Sequence, residues 1–176
     1  MTRKIAAGFI GFVAILLLVT PHASAVSIIT DKQIQAIKTN CTQIQASLNQ
    51  LQRNDTLLRH NRGAAFRTIA DKLMVPLNQR IASNQLAGSK LVEITADYNK
   101  SYEDFRLGFI AYDTALSTAL NTDCQKQPTT FFDALDLARQ KRLALYKASD
   151  KLTKLAEQYK AEFLNFKKNY AEELKK

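Results

Sequence analysis

Residues 131–170 contain neither proline nor glycine, and their apolar side chains recur every three or four positions: Phe131, Leu135, Ala138, Leu145, Leu152, Ala156, Tyr159, Phe163, Phe166 and Tyr170, with only Arg142 and Ser149 polar in the series. Steps of three and four keep side chains on one face of a helix. A helix of that span is roughly 60 Å long and would leave a leucine and aromatic stripe wet if it stood alone. The rest of the chain must therefore supply partner helices. Its makeup suits that role, since tryptophan is absent and there are only five glycines and three prolines in 176 residues, so little interrupts helix formation.

The N-terminus reads as an export signal. Arg3 and Lys4 precede an apolar run over residues 5–19, and Thr20, Pro21 and His22 break the run just before Ala23, Ser24 and Ala25. A positive start, an apolar middle and a small-x-small end make a secretory signal, with cleavage predicted after Ala25. The run is shorter than the roughly 20 residues that cross a bilayer comfortably, although an uncleaved anchor is the alternative. Two cysteines, Cys41 and Cys124, remain beyond the signal. An even count in an exported chain predicts one structural disulfide. His60 is then the only histidine left, so no metal site and no cofactor is expected.

After the signal the pattern predicts an all-α fold, a long antiparallel up-down-up bundle of three coiled-coil-like helices over about 31–83, 89–122 and 128–174, forming a single domain over 26–176. Thr30 or Asp31 caps the first helix, whose seam runs through Ile34, Ile37, Cys41, Ile44, Leu48, Leu51 and Leu58, then Ala65, Phe66, Ile69, Leu73, Leu77 and Ile81. Pro76 removes a hydrogen bond and is expected to bend this helix near Lys72 and Leu73, with a break near Asn54 as the alternative. Asn84 and Gly88 tolerate the left-handed turn that ends it, and Ser89 is the expected cap of the next helix. The middle helix buries Leu91, Ile94, Tyr98, Tyr102, Phe105, Phe109, Tyr112, Leu116 and Leu120. Pro128 opens the last one, where its missing N–H costs nothing.

A register follows from the cysteines. If the bridge sets Cys41 level with Cys124, then Asp55, fourteen residues on, lies level with Ile110, fourteen back; a second turn centred on Lys126 sets Arg142 level with the same Ile110. Asp55 and Arg142, the charges intruding on the two outer seams, are thus predicted to form a partly buried ion pair that fixes register. Outward snorkelling of both side chains is the alternative. By the same register Arg62 should meet Asp104 or Glu103. A first turn centred on Leu86 would instead set Cys124 level with Leu48. The Pro76 bend or an extended 121–127 segment must absorb that slip.

The net charge of +9 falls to +7 without Arg3 and Lys4. Eight basic and three acidic residues lie in 31–81, three and six in 89–123, and twelve and seven in 125–176. An acidic helix between two basic ones suits an antiparallel bundle, although each exposed pair is worth only about 0–1 kcal/mol. Arg53, His60 and Arg67 recur every seven residues with Arg59 beside them, a possible anion-binding stripe. Solvated helix faces are the favoured reading, because nucleic-acid readers pair such stripes with exposed rings.

Reactive groups are scarce. No serine or cysteine stands beside a base, no glycine-rich loop opens a helix, and the Glu-x-x-His pair of helical metal centres is absent. Arg53-Asn54, residues 58–63 (Leu-Arg-His-Asn-Arg-Gly), Pro76-Leu77 with Arg80, Cys124 with Pro128, and residues 138–142 (Ala-Arg-Gln-Lys-Arg) resemble a group of small exported helical proteins of Saccharibacteria and related minute bacteria. That resemblance implies an exported helical domain and carries no activity. The expectation is therefore a non-enzymatic, monomeric surface or envelope module that binds or braces a protein or envelope component, with no small-molecule substrate evident. The alternative is a basic module that engages DNA, cell-wall polymer or anionic lipid. Apolar grooves are expected where the outer helices overhang the middle one, around residues 159–174 and 34–37.

Overall fold

The computed structural model describes residues 29–175; the predicted export signal lies outside them. Within that span the chain is helical with no strand: α1 (Asp31–Thr39), α2 (Cys41–Thr68), a π-helical turn (Ile69–Met74), α3 (Val75–Ser83), α4 (Ser89–Asn121) and α5 (Pro128–Glu173). Thr30 caps α1 reciprocally with Gln33: the Gln33 N–H donates to Thr30 Oγ1 and the Thr30 N–H donates to Gln33 Oε1, as in a capping box.

The expected continuous first helix is interrupted at Asn40, and not near Asn54, through which α2 runs unbroken. The Asn40 amide donates to the Ala36 carbonyl at 2.9 Å, the local competition with backbone bonding that makes asparagine a poor interior helix residue. Pro76 acts one turn earlier than its own position. The preceding turn widens, and the Val75 N–H reaches back five residues to the Ala70 carbonyl, which makes room for a ring that would clash with a normal α-turn.

That widened turn also absorbs the register slip. Going from Asp55 to Phe66, eleven residues, the hydrogen-bonded partner on α4 moves fourteen, from Tyr112 to Tyr98. From Phe66 to Asn78, twelve residues spanning the π turn, it moves only from Tyr98 to Thr95 and Leu91. At the first interhelical turn the left-handed residue is Gln85 (φ 53°), where asparagine or glycine was expected. Gly88 is needed for space instead, because a Cβ there would come 2.5 Å from Ile81 Cγ2. The cap position of α4 is Gly88 with no side-chain bond, so Ser89 does not cap it.

α4 is the axis of the packing. Its buried positions, including Leu91, Ile94, Tyr98, Phe105, Phe109, Tyr112 and Leu116, repeat at three and four, and α2 and α5 each lie along it while scarcely approaching one another. The buried side chains fall into two clusters. One gathers Phe66, Met74, Ile81, Tyr98 and Tyr159 around the π turn; the other gathers Leu48, Phe109, Leu116 and Phe131 around the cysteines. Two predicted seam residues are not covered: Leu58, between the clusters, is 51% exposed, and Leu73, on the outer face of the π turn, is 60% exposed. Tyr170 is also exposed, so the α5 stripe leaves the core after Phe166.

Candidate functional site

The disulfide and the charged seam residues tie α2 to its neighbours. Cys41 and Cys124 are bonded, with Cα atoms 5.6 Å apart. Fourteen residues along α2, Asp55 receives three hydrogen bonds: from Arg142 Nε at 2.8 Å and Nη2 at 3.1 Å, and from the Tyr112 hydroxyl at 2.6 Å. The two-point guanidinium contact is the strong planar form of this pairing. Burial pushes the Asp55 carboxyl up, but the bonds from Arg142 and Tyr112 outweigh it and hold the group below its ordinary value. Burial and the neighbouring carboxylate push the Tyr112 phenol up, so it stays a donor.

The expected Arg62 to Asp104 pair does not form. Phe105 and Ser101 are the α4 positions turned inward; residues 103 and 104 between them face solvent, where Glu103 is held by Arg106 at 2.6 and 2.9 Å. Arg62 points across to α5 and, among the described residues, bonds only the Ser149 hydroxyl, at 3.4 Å. The proposed stripe on α2 is likewise divided. Arg53 bonds Gln50, Arg67 pairs with Asp71 at 3.2 Å, His60 is exposed, and the exposed Arg59 lies 4.5 Å over the Phe109 ring.

These contacts frame a groove of about 490 Å³ between α2 and α5. Phe105 and Phe109 of α4 form its floor, and Leu58, Leu143 and Tyr146 its walls. Arg59, Arg62, Arg139 and Arg142 line it against the single carboxylate of Asp55, a net charge of +3. A mostly apolar concavity of this size with a few convergent charges is the usual form of a ligand site. A second groove, also about 490 Å³, continues toward the disulfide between Ile44, Leu51 and Leu135, and shares Arg139 and Arg142 with the first. The expected overhang groove at the far end of α5 is smaller, about 220 Å³ beside Phe166 and Tyr170.

Sequence reasoning put Phe105 and Phe109 in the core and passed over Leu143 and Tyr146. The available signal was the second apolar stripe that these two make one position beyond Arg142 and Leu145 on α5. Among the described residues no three His, Cys, Asp or Glu side chains gather as metal ligands, and no helix there is long and apolar enough to cross a membrane. No family model, curated protein or solved structure matches this chain.

Proposed function

We propose that this chain is an exported, non-enzymatic module, a single up-down-up three-helix domain, that binds an anionic partner of the cell envelope through the groove between α2 and α5. Four arginines over an aromatic floor, opposed by one aspartate, are the observation that carries the reading. Exposed apolar side chains such as Leu143 (56%) and Tyr146 (66%) add to it, since contiguous apolar surface beside charge marks a place of contact. The 83-residue disulfide loop fits an oxidising compartment, and the resemblance to exported helical proteins points the same way. A long polymer lying along residues 53–67 has less support, because those cations face different partners.

The test is retention of the oxidised secreted protein on heparin and on anionic phosphatidylglycerol vesicles, at low and raised salt. Retention should fall with salt, and replacing Arg59, Arg62 and Arg139 together by glutamine should abolish it. Retention untouched by the triple change would place the contact elsewhere. Edman sequencing of secreted protein should begin at Val26.

A further inference from the structure

The ion pair expected between Arg62 and Asp104 fails inside one chain for a reason that points to a second. Tyr112 bonds Asp55 and Tyr98 bonds the Phe66 carbonyl, so residues 103–110 of α4 stand at the height of residues 57–62 of α2. On α5 the same heights run from Arg142, level with Asp55, to Ser149, level with Arg62. Phe105 and Phe109 of α4 face the groove between the two outer helices. At about 100° per residue, Glu103, Leu107, Ile110 and Thr114 fall on the opposite side of α4 with Asp104 at its edge, and all five are exposed. The three helices thus make a chevron in cross-section. Its vertex is α4, with the groove on the inside and this face on the outside.

The two sides of the vertex complement each other. Inside, Arg59, Arg62 and Arg139 have no carboxylate within ion-pair distance among the described residues, and Leu58, Leu143 and Tyr146 stand exposed on the rims. Outside, Asp104 has no cation within that distance among the described residues, while Glu103 is held by Arg106. Leu107 and Ile110 are the exposed apolar side chains beside them. A copy displaced sideways without rotation lays its α4 along the rims, over the contacts of Arg142 with Asp55 and of Arg62 with Ser149 and not beneath them. Because heights are kept, its Asp104 comes level with Arg62 of the first copy, and its Leu107 and Ile110 come level with Leu58, Leu143 and Tyr146. Resting on the reading of the groove as an anion-binding site, we infer that its partner is a second copy of this chain, which seats the outer face of α4 on the groove with Asp104 against Arg62. Groove against groove would set arginine against arginine, and α4 against α4 would set carboxylate against carboxylate, so both of those pairings are repelled. The favoured contact joins unlike faces and leaves each end of the assembly with one free face, so copies add in an open row.

Sedimentation velocity of the oxidised secreted protein over rising concentration, at low and raised salt, tests this. The weight-average coefficient should climb past that of a dimer without a plateau, and salt should lower it. Arg62→Asp and Asp104→Arg should each weaken self-association at least about tenfold, since an attraction becomes a repulsion. Mixed in equal amounts the two variants should associate again, because each then offers the other an opposite charge on both faces. Both side chains are exposed, so thermal melts of the variants should match the parent and keep folding out of the result. A monomer at the highest soluble concentration, a plateau at the dimer, equal association by the variants, or no recovery in the mixture would overturn the row. Heparin retention that needs Arg59, Arg62 and Arg139, in a protein that stays monomeric, would overturn the second copy and leave the broader reading standing; a monomer whose heparin retention is indifferent to them would remove both.

Discussion

The two ends of the molecule are held by different means. At the cysteine end, the disulfide and the Asp55 bridge tie α2 to its neighbours, while the α2 contribution to the core thins to Leu48 and Cys41. At the π-turn end there is no covalent link, but packing is dense and hydroxyl bonds thread it. Tyr98 donates to the Phe66 carbonyl at 3.0 Å, and the Tyr159 hydroxyl lies 3.3 Å from the Met74 carbonyl and 3.0 Å from Asn78 Oδ1. Asn78 in turn donates to Thr95 at 2.8 Å, so one amide joins α3, α4 and α5. A segment without enough apolar surface needs a crosslink to stay in place, and a segment with a distorted backbone needs donors for its displaced carbonyls. Between these two anchors α2 is left standing off α5, which is why the groove lies at mid-length.

Breaking the cysteine end should have the largest effect. Replacing Cys41 and Cys124 by alanine removes a loop constraint worth about 4 kcal/mol; urea unfolding should show that loss, and hydrogen exchange should rise over residues 31–55 while residues 66–81 stay protected. At the opposite end, Asn78→Ala removes the amide's bonds to Thr95 and Tyr159, leaving those hydroxyls only the Leu91 and Met74 carbonyls, and should cost about 2 kcal/mol, with exchange rising instead around the π turn. If both variants raised exchange everywhere alike, the contrast between the ends would be gone.

Asp55→Asn should cost less, about 1 kcal/mol at neutral pH, because the Arg142 side chain is 52% exposed and recovers water when its partner is lost. The folded-state carboxyl titrates below its ordinary value, so its contribution is present above the unfolded value near 3.9 and disappears as pH falls through the lower folded value. Parent and variant melting temperatures should therefore differ at pH 6, and the difference should shrink as pH falls below the ordinary carboxyl value. The smallest effect belongs to Ser101, fully buried on α4 with its hydroxyl bonded to nothing among the described residues. Ser101→Ala should leave stability unchanged or raise it by up to about 1 kcal/mol, and a loss in chemical denaturation would show that the hydroxyl has a partner.

Much of the architecture was legible in the chain because helical periodicity and turn residues are local. The positions of Pro128 and the Asn84 to Gly88 turn set the limits of α4 and α5 within a residue or two. The meeting of Asp55 with Arg142 could be reached by counting from the cysteines, because helices of fixed rise convert sequence distance into height. Counting failed for Arg62, because height says nothing about direction: at the same level Glu103 and Asp104 face outward and Ser149 faces in.

Residue type and spacing along one strand of polymer were enough for an all-helical chain, for the disulfide partners and for the charges that meet at mid-length. That Pro76 acts through a π turn, that Arg59 lies over Phe109, and that Leu58, Leu143 and Tyr146 line an open groove could be read from the packed fold alone. Those features depend on the separation and rotation of α2 and α5 about α4, and that separation is set by packing around all three at once.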